Sequence, residues 1–374
     1  MPDRSTILSI VPAPLLPAVS GGQKATYGLL DALGTKVKIV CITDTKSPAD
    51  NHTFELKPLI KQEVKKYFAY KNYKLILEQV KLVKPESILL EQPFLGIIIY
   101  LISRKTNTPY FIRSHNIEYL RFKSIGKFWW PIMFFLERFT LRRAEGVYFI
   151  TSHDRDLAIR NLGIAAEKCF VAPYGVPQES PLELPPEKIT EVRKRHNISP
   201  DEAVFMFFGV LKYMPNIEAL ELIIQEIMPR LIARYTKKFK ILVCGAGISD
   251  DYRKQLIELD SEHFIYAGFV ENIDEYTQSA DIVLNPVLSG GGIKTKIVEA
   301  LGFNKNVVST QTGAIGVDPS ICGTKLYIVD DLDWDGFVDK IIEAVEDTST
   351  IPSHFFNVFS WKSVAQVIIN NLTH

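Results

Sequence analysis

Two doubly wound α/β domains in tandem, facing each other across a cleft, are the fold class this sequence predicts, and three observations predict it. Short runs rich in Val, Ile and Phe alternate with segments of helical length along most of the chain, the pattern of βαβ units whose parallel sheet is covered on both faces. At 374 residues the chain exceeds one ordinary α/β core and fits two. The rhythm breaks at a stretch holding Pro177, Pro181, Pro185 and Pro186, then restarts.

In the first half, residues 6–11, 38–43, 87–90, 110–114, 147–151 and 169–172 read as strands and 23–33 as a helix. The apolar run 88–102 is interrupted by Glu91, Gln92 and Pro93, so it reads as strand, turn and helix. It is also too broken to supply the roughly 20 apolar residues that span a bilayer. Proline and acidic residues without periodicity mark 179–200 as a linker between a domain at 1–178 and a second at 201–359. In the second domain, 203–208, 239–244, 264–267, 282–286, 307–310 and 326–329 read as strands, with helices near 215–235, 250–259, 272–279 and 295–301. Residues 361–372 place Val364, Val367, Ile368 and Leu372 on one face of a closing amphipathic helix.

Apolar residues are 47% and charged residues 23% of the chain, and no repeat or low-complexity tract occurs, which excludes a disordered or fibrous protein. Asp3, Arg4, Pro12, Pro14 and Pro17 break up the amino-terminal segment, so no signal peptide is expected and the location reads as cytoplasmic. Cys41, Cys169, Cys244 and Cys322 are far apart and read as buried free thiols. No histidine pairing has metal-ligand spacing, so no metal is expected. The net charge of zero divides into +10 over residues 1–178 and −10 over 179–374. Two readings of that split stay open: the first domain meets an anionic membrane surface or phosphorylated acceptor, or the two domains attract each other. No nucleic-acid partner is indicated.

The strongest local signal is Ser-Gly-Gly-Gly-Ile-Lys-Thr-Lys-Ile-Val-Glu-Ala-Leu at 289–301, directly after a strand and opening a helix. Gly290, Gly291 and Gly292 let a phosphate or sugar approach the backbone, and the first helical N–H groups face that anion. Lys296 and Glu299, three apart, share a helix face with Gly292 about two turns before Glu299. A cation beside the phosphates and a carboxylate for the two ribose hydroxyls would together hold a nucleotide.

These residues, with Gly302 and the turn Thr312-Gly313-Ala314, resemble the donor-binding segment of retaining family 4 glycosyltransferases, and in particular a branch with a GGG-x-[RK]-x-K-x-x-E stretch. The resemblance covers most of the chain and implies the GT-B fold, with two Rossmann-like domains and a last helix, entered at Phe359-Ser360-Trp361, that crosses back to the first domain. Gly21 and Gly22 resemble the family's first glycine loop, and His115 its histidine, which implies contact with the transferred sugar. Gly209 begins the turn after the second domain's first strand, and Val270 lies in the loop beside the base. Departures are a glycine, Gly291, where a first glutamate is usual, Val210 and Pro215 in place of an arginine and a lysine, and Tyr174 in place of an asparagine.

The resemblance implies transfer of a hexose, with retention, from a nucleoside diphosphate sugar to a hydroxyl of a glycan, lipid-linked or small-molecule acceptor in cell-surface polysaccharide or glycoconjugate synthesis. His115, Lys296 and Glu299 are its expected catalytic residues. Gly21, Gly22, Gly209, Lys212, Val270, Gly290, Gly291, Gly292, Ile293, Lys294, Lys296 and Glu299 are its expected donor-binding residues, with no metal or other cofactor. A non-catalytic nucleotide-sugar binder and a sugar-nucleotide epimerase are the rival readings. A nicotinamide dehydrogenase is disfavoured because Gly245-Ala246-Gly247 runs on to Asp250 where a third glycine would stand.

Three further stretches carry weaker expectations. Residues 128–135 mix aromatic residues with Lys123, Lys127, Arg138, Arg142 and Arg143 nearby; a helix at the membrane interface and a core helix are both open. The lysine-rich stretch 57–84 reads as a solvated helix face, and Asp331, Asp333 and Asp335 as a helix cap.

Overall fold

The computed structural model describes residues 5–44, 52–60, 70–259 and 262–372. It divides into two compact units, residues 1–177, 291–293 and 358–374, and residues 178–290 and 294–357.

In the first unit, β1 (Thr6–Ile10), β2 (Lys38–Asp44), β3 (Glu55–Ile60), β4 (Ser87–Glu91), β5 (Tyr110–Ser114), β6 (Gly146–Phe149) and β7 (Cys169–Val171) form one parallel sheet in the order β3-β2-β1-β4-β5-β6-β7. Its core is made by side chains such as Leu8, Ile10, Val40, Ile88, Leu90, Ile112 and Phe149. Helices α1 (Gly21–Gly34), α2 (Tyr70–Val83), α3 (Gly96–Thr106), α4 (Glu118–Ser124), α5 (Trp130–Arg143) and α6 (Ser152–Leu157) alternate with the strands. The order reverses between β1 and β4, and in such sheets a ligand sits beyond the strands' carboxyl ends at that point.

Gly21 and Gly22, expected in a loop, instead form the first turn of α1. Ser20 caps it reciprocally with Gln23, which satisfies orphan N–H groups at the helix start. The stretch 57–84 is not one helix face: Lys57 lies on strand β3, bonded to Glu55 and Gln79, and only its later part forms α2. Its residues 61–69 lie outside the described residues. In 128–135 part of the helix packs as the core reading expects. Met133 is buried and Trp129, Trp130 and Phe134 pack on the core, while Phe128, Ile132 and Phe135 are exposed.

The second unit repeats the plan. β8 (Ala203–Phe208), β9 (Phe239–Cys244), β10 (Phe264–Gly268), β11 (Ile282–Asn285), β12 (Asn306–Thr310) and β13 (Leu326–Val329) form a parallel sheet in the order β10-β9-β8-β11-β12-β13. The expected linker carries α7 (Pro186–Arg195), where Arg193 pairs with Asp281 at 3.1 Å. The expected helix at 215–235 forms as α8 (Met214–Leu222) and α9 (Met228–Arg234), joined through a wide π-helical turn at Ile223–Ile227. Pro229, which has no N–H to donate, follows that turn. α10 (Asp250–Glu258), α11 (Ile273–Ser279), α12 (Thr295–Gly302) and α13 (Trp334–Val345) complete the layers. Asp333 caps α13 by accepting from the Gly336 N–H, as the sequence suggests.

After α14 (Ser353–Phe359), helix α15 (Trp361–Leu372) joins the first unit and packs against α1. The Val176 N–H donates to the Phe359 carbonyl at 2.6 Å and the Trp361 N–H to the Val176 carbonyl at 2.9 Å. Trp361, Val364, Ala365 and Ile368 form its buried face. All four cysteines are buried and unpaired.

Candidate active site

The first unit brings His115 to Glu91, a residue the sequence presents only as a break in an apolar run. Glu91 ends β4 and pairs in register with Arg113 on β5, two residues before His115. His115 Nε2 stands 2.6 Å from Glu91 Oε2, and Thr26 Oγ1 of α1 donates to the same oxygen at 3.3 Å. Arg113 Nη1 is 3.7 Å away, and its side chain is fully buried. Burial alone would raise the Glu91 pKa, but the Arg113 guanidinium and the His115 hydrogen bond outweigh it and hold the carboxyl below its ordinary value. An ionised carboxylate only accepts, so Nε2 carries the hydrogen and Nδ1 is the ring atom left to meet a ligand hydroxyl. Gly22 borders that side: a Cβ there would stand 3.9 Å from Nδ1.

Glu91 Oε1 is buried and has no hydrogen-bond partner in the structure. The next residue, Gln92, holds φ at +66°, an uncommon backbone state of the kind found where a site over-determines the chain. A cavity of about 530 Å³ opens here, bordered by Val11 after β1 and by Gln23, Thr26, Glu91 and His115, at the reversal point of the sheet.

Of the glycine segment, Gly290 and the residues from Lys294 onward belong to the second unit, and residues 291–293 to the first. Gly209 follows β8 and Gly290 follows β11, so both lie at the carboxyl ends of strands paired across that sheet's reversal point. Gly290 holds φ at +89°, and a Cβ on it would fall 2.6 Å from the Tyr213 hydroxyl. Gly292 also has positive φ, +68°. Helix α12 begins only at Thr295, so Gly292 is not on its face as expected; residues 290–294 form a bent, irregular approach to the helix.

Lys296 is 7% exposed, donates to Asn216 Oδ1 at 3.1 Å, and places Nζ 4.2 Å from the centre of the Phe207 ring. Asn216 in turn donates to the Val210 carbonyl at 3.0 Å, so one amide ties the turn after β8 to the lysine. Burial, and then the neighbouring Lys294, pull the Lys296 pKa down to about 7, with Glu299 opposing them. Lys294 Nζ donates to the Gly290 carbonyl at 2.9 Å. Lys212 is exposed, Glu299 and Val270 are half-buried, and Ile293 and Gly291 complete the segment. Among the described residues, no group of three or more His, Cys, Asp or Glu is placed to hold a metal ion, and no helix is long and apolar enough to cross a membrane.

Two family models match this chain in succession. Residues 24–180 match Glycosyltransferase Family 4 and residues 202–347 match Glycosyl transferases group 1. An uncharacterized 44.6 kDa protein in the cps region of Klebsiella pneumoniae is 27% identical over 161 residues, 42% of this chain and 40% of that protein. Among solved structures, Anabaena HepE in complex with UDP superposes with a TM-score of 0.74 at 16% identity, over 98% of this chain and 99% of that one. HepE is also solved with UDP-glucose. A glycosyltransferase from Rickettsia africae superposes with a TM-score of 0.70 at 16% identity, over 99% of this chain and 94% of that one. Both likenesses are to the GT-B fold.

Proposed function

This chain is a glycosyltransferase of the GT-B fold and family 4 type, and we propose that it moves a hexose, with retention, from a nucleoside diphosphate sugar to an acceptor hydroxyl. The acceptor is a glycan, a lipid-linked or a small molecule, in synthesis of cell-surface polysaccharide or glycoconjugate, at the inner face of the membrane. The observation that carries the donor reading is Lys296, a buried lysine beside a glycine turn at the sheet's reversal point. Burying an ammonium beside a neutral amide and a ring face is costly, and an anion at that point repays the cost.

As the glycosidic bond breaks, negative charge grows on the departing diphosphate. Lys296, with Lys212, Lys294 and the amides of Gly291 and Gly292, stabilises it, and losing one such contact costs about 10²- to 10³-fold in rate. Glu299 accepts from the ribose hydroxyls, while Gly209 and Val270 border the nucleotide. His115, held by Glu91 and bordered by Gly22, hydrogen-bonds a sugar hydroxyl, with Gly21 in the same first turn of α1. The likeness of residues 289–301 to the donor segment of retaining enzymes supports retention, with the leaving phosphate taking the acceptor proton. HepE's complexes with UDP and UDP-glucose favour a uridine donor, and the relative in a cps region favours polysaccharide synthesis.

The test is incubation with UDP-, GDP-, ADP- and TDP-hexoses and a panel of glycan and glycolipid acceptors, the product's anomeric configuration being read by NMR. A product with the donor's configuration supports the proposal. Inverted configuration refutes retention, and donor turnover that forms only an epimer refutes transfer.

A further inference from the structure

Glu91, His115, Gln92 and Thr26 border one part of the cavity in the first unit, whereas Phe94, Phe122, Trp129, Met133 and Leu136 form a mostly apolar wall, with the Arg121 guanidinium lying over the Phe122 ring at 4.7 Å. At about 530 Å³ it has the size of a site for a drug-sized ligand. A wall for sugar alone would match hydroxyls with polar side chains along its length, because a polar ligand group left unpaired on apolar surface loses its hydrogen bonds.

The wall is a built one. Phe122 and Trp129 have ring centres 4.3 Å apart. Buried Glu137 on α5 accepts from the backbone N–H groups of Glu118 and Tyr119, each at 2.9 Å, and so fixes α4 against α5. The lining also reaches the surface. Ile132 borders the cavity and is 66% exposed, and Phe135, three residues on along the same face of α5, is 68% exposed. Phe128, between Lys127 and Trp129, is 91% exposed. Scattered surface apolar residues are ordinary, but a face continuous with a cavity is the form taken by ligand grooves.

We propose that the acceptor is amphipathic: its hydroxyl-bearing head stands at Glu91 and His115, and an attached apolar chain runs along Phe94, Phe122, Trp129, Met133 and Leu136 and leaves past Ile132. The inference rests on the glycosyltransferase reading for the head group's role, and it narrows the acceptor to a lipid-linked sugar.

Methyl, hexyl and octyl β-glucosides, kept below their micelle-forming concentrations, test it by calorimetric titration of the full chain, with UDP titrated in parallel. Each methylene the cavity buries tightens binding about 4-fold, so octyl glucoside is expected to bind at least 10²-fold more tightly than methyl glucoside. Ile132→Asp, at an exposed position, should cut that gain below 10-fold, and Ile132→Leu should keep it, with UDP affinity unchanged in both. Equal affinity for the three glucosides, no binding of octyl glucoside, or a chain-length gain that survives both Ile132→Asp and Leu136→Asp would overturn the proposal. If wild type still binds UDP in any of those cases, the acceptor inference alone fails; if it does not, the donor reading fails with it.

Discussion

His115 Nε2 and Glu91 Oε2 are 2.6 Å apart, and this bond joins the ends of neighbouring strands β4 and β5 through residues 24 positions apart. It orients the imidazole with Nδ1 free for a ligand hydroxyl, while Arg113 keeps the carboxylate charged.

Glu91→Gln removes the charge while keeping the shape. We expect turnover to fall by about 10²-fold or more, with UDP affinity unchanged by calorimetry. Because the two residues act as one unit, the double variant with His115→Ala should be little worse than either single variant. Glu91→Ala should also cost about 3–5 kcal/mol of stability, because it strands a fully buried guanidinium, and chemical denaturation measures that loss.

Gly175 meets the indole of Trp361, so that an added Cβ would lie 2.6 Å from the ring. Since the backbone bridge between Val176 and Ser360 holds both sides of this contact, neither can retreat cheaply. Gly175→Ala is expected to destabilise by about 1–3 kcal/mol through overpacking. A melting temperature equal to wild type would show that α15 is not seated as described.

Lys296 is predicted to make donor binding depend on pH. Its pKa of about 7 in the free protein is lowered by burial and then by Lys294, and an anion beside it must raise that value, so binding takes up a proton. UDP affinity should therefore hold below pH 7 and fall, by up to about tenfold per pH unit, above it. Calorimetry in buffers of different ionisation enthalpy counts the proton directly, and Lys296→Met should abolish both the uptake and the pH dependence.

Burial pushes the Glu137 carboxyl up to about 8 despite its two backbone hydrogen bonds. Between the ordinary carboxylate range and that value the folded state keeps a proton that the unfolded state has released. Stability must then decline as pH rises through this window. Glu137→Gln should flatten the decline between about pH 5 and pH 7, a window below the titration of Lys296, and paired denaturation curves report the difference.

Much of this architecture is legible in the sequence because strands buried on both faces leave continuous apolar runs, as at Ile39–Ile42 in β2 and Val204–Phe208 in β8. β3 escapes that signal: it is an edge strand, Glu-Leu-Lys-Pro-Leu-Ile, with charge and a proline. The lysine and glutamate of α12 are legible because the glycines that precede them announce a close approach to the backbone. Glu91 and Glu137 are not, since each acquires its meaning from partners 18 or more positions away, supplied by strand register or helix packing. The capping role of Gln23 shows the converse: Ser20-Gly21-Gly22-Gln23 is a capping signature whose glycines suggested a loop.

A thermal-shift panel of UDP, GDP, ADP and TDP sugars on wild type and Glu299→Ala tests most directly the claim that α12 and its glycine approach hold a nucleoside diphosphate sugar. One nucleotide, UDP by preference, is expected to raise the wild-type melting temperature in proportion to the logarithm of its concentration, and Glu299→Ala to lose the response. Equal responses in the two proteins, or none in wild type, would contradict it.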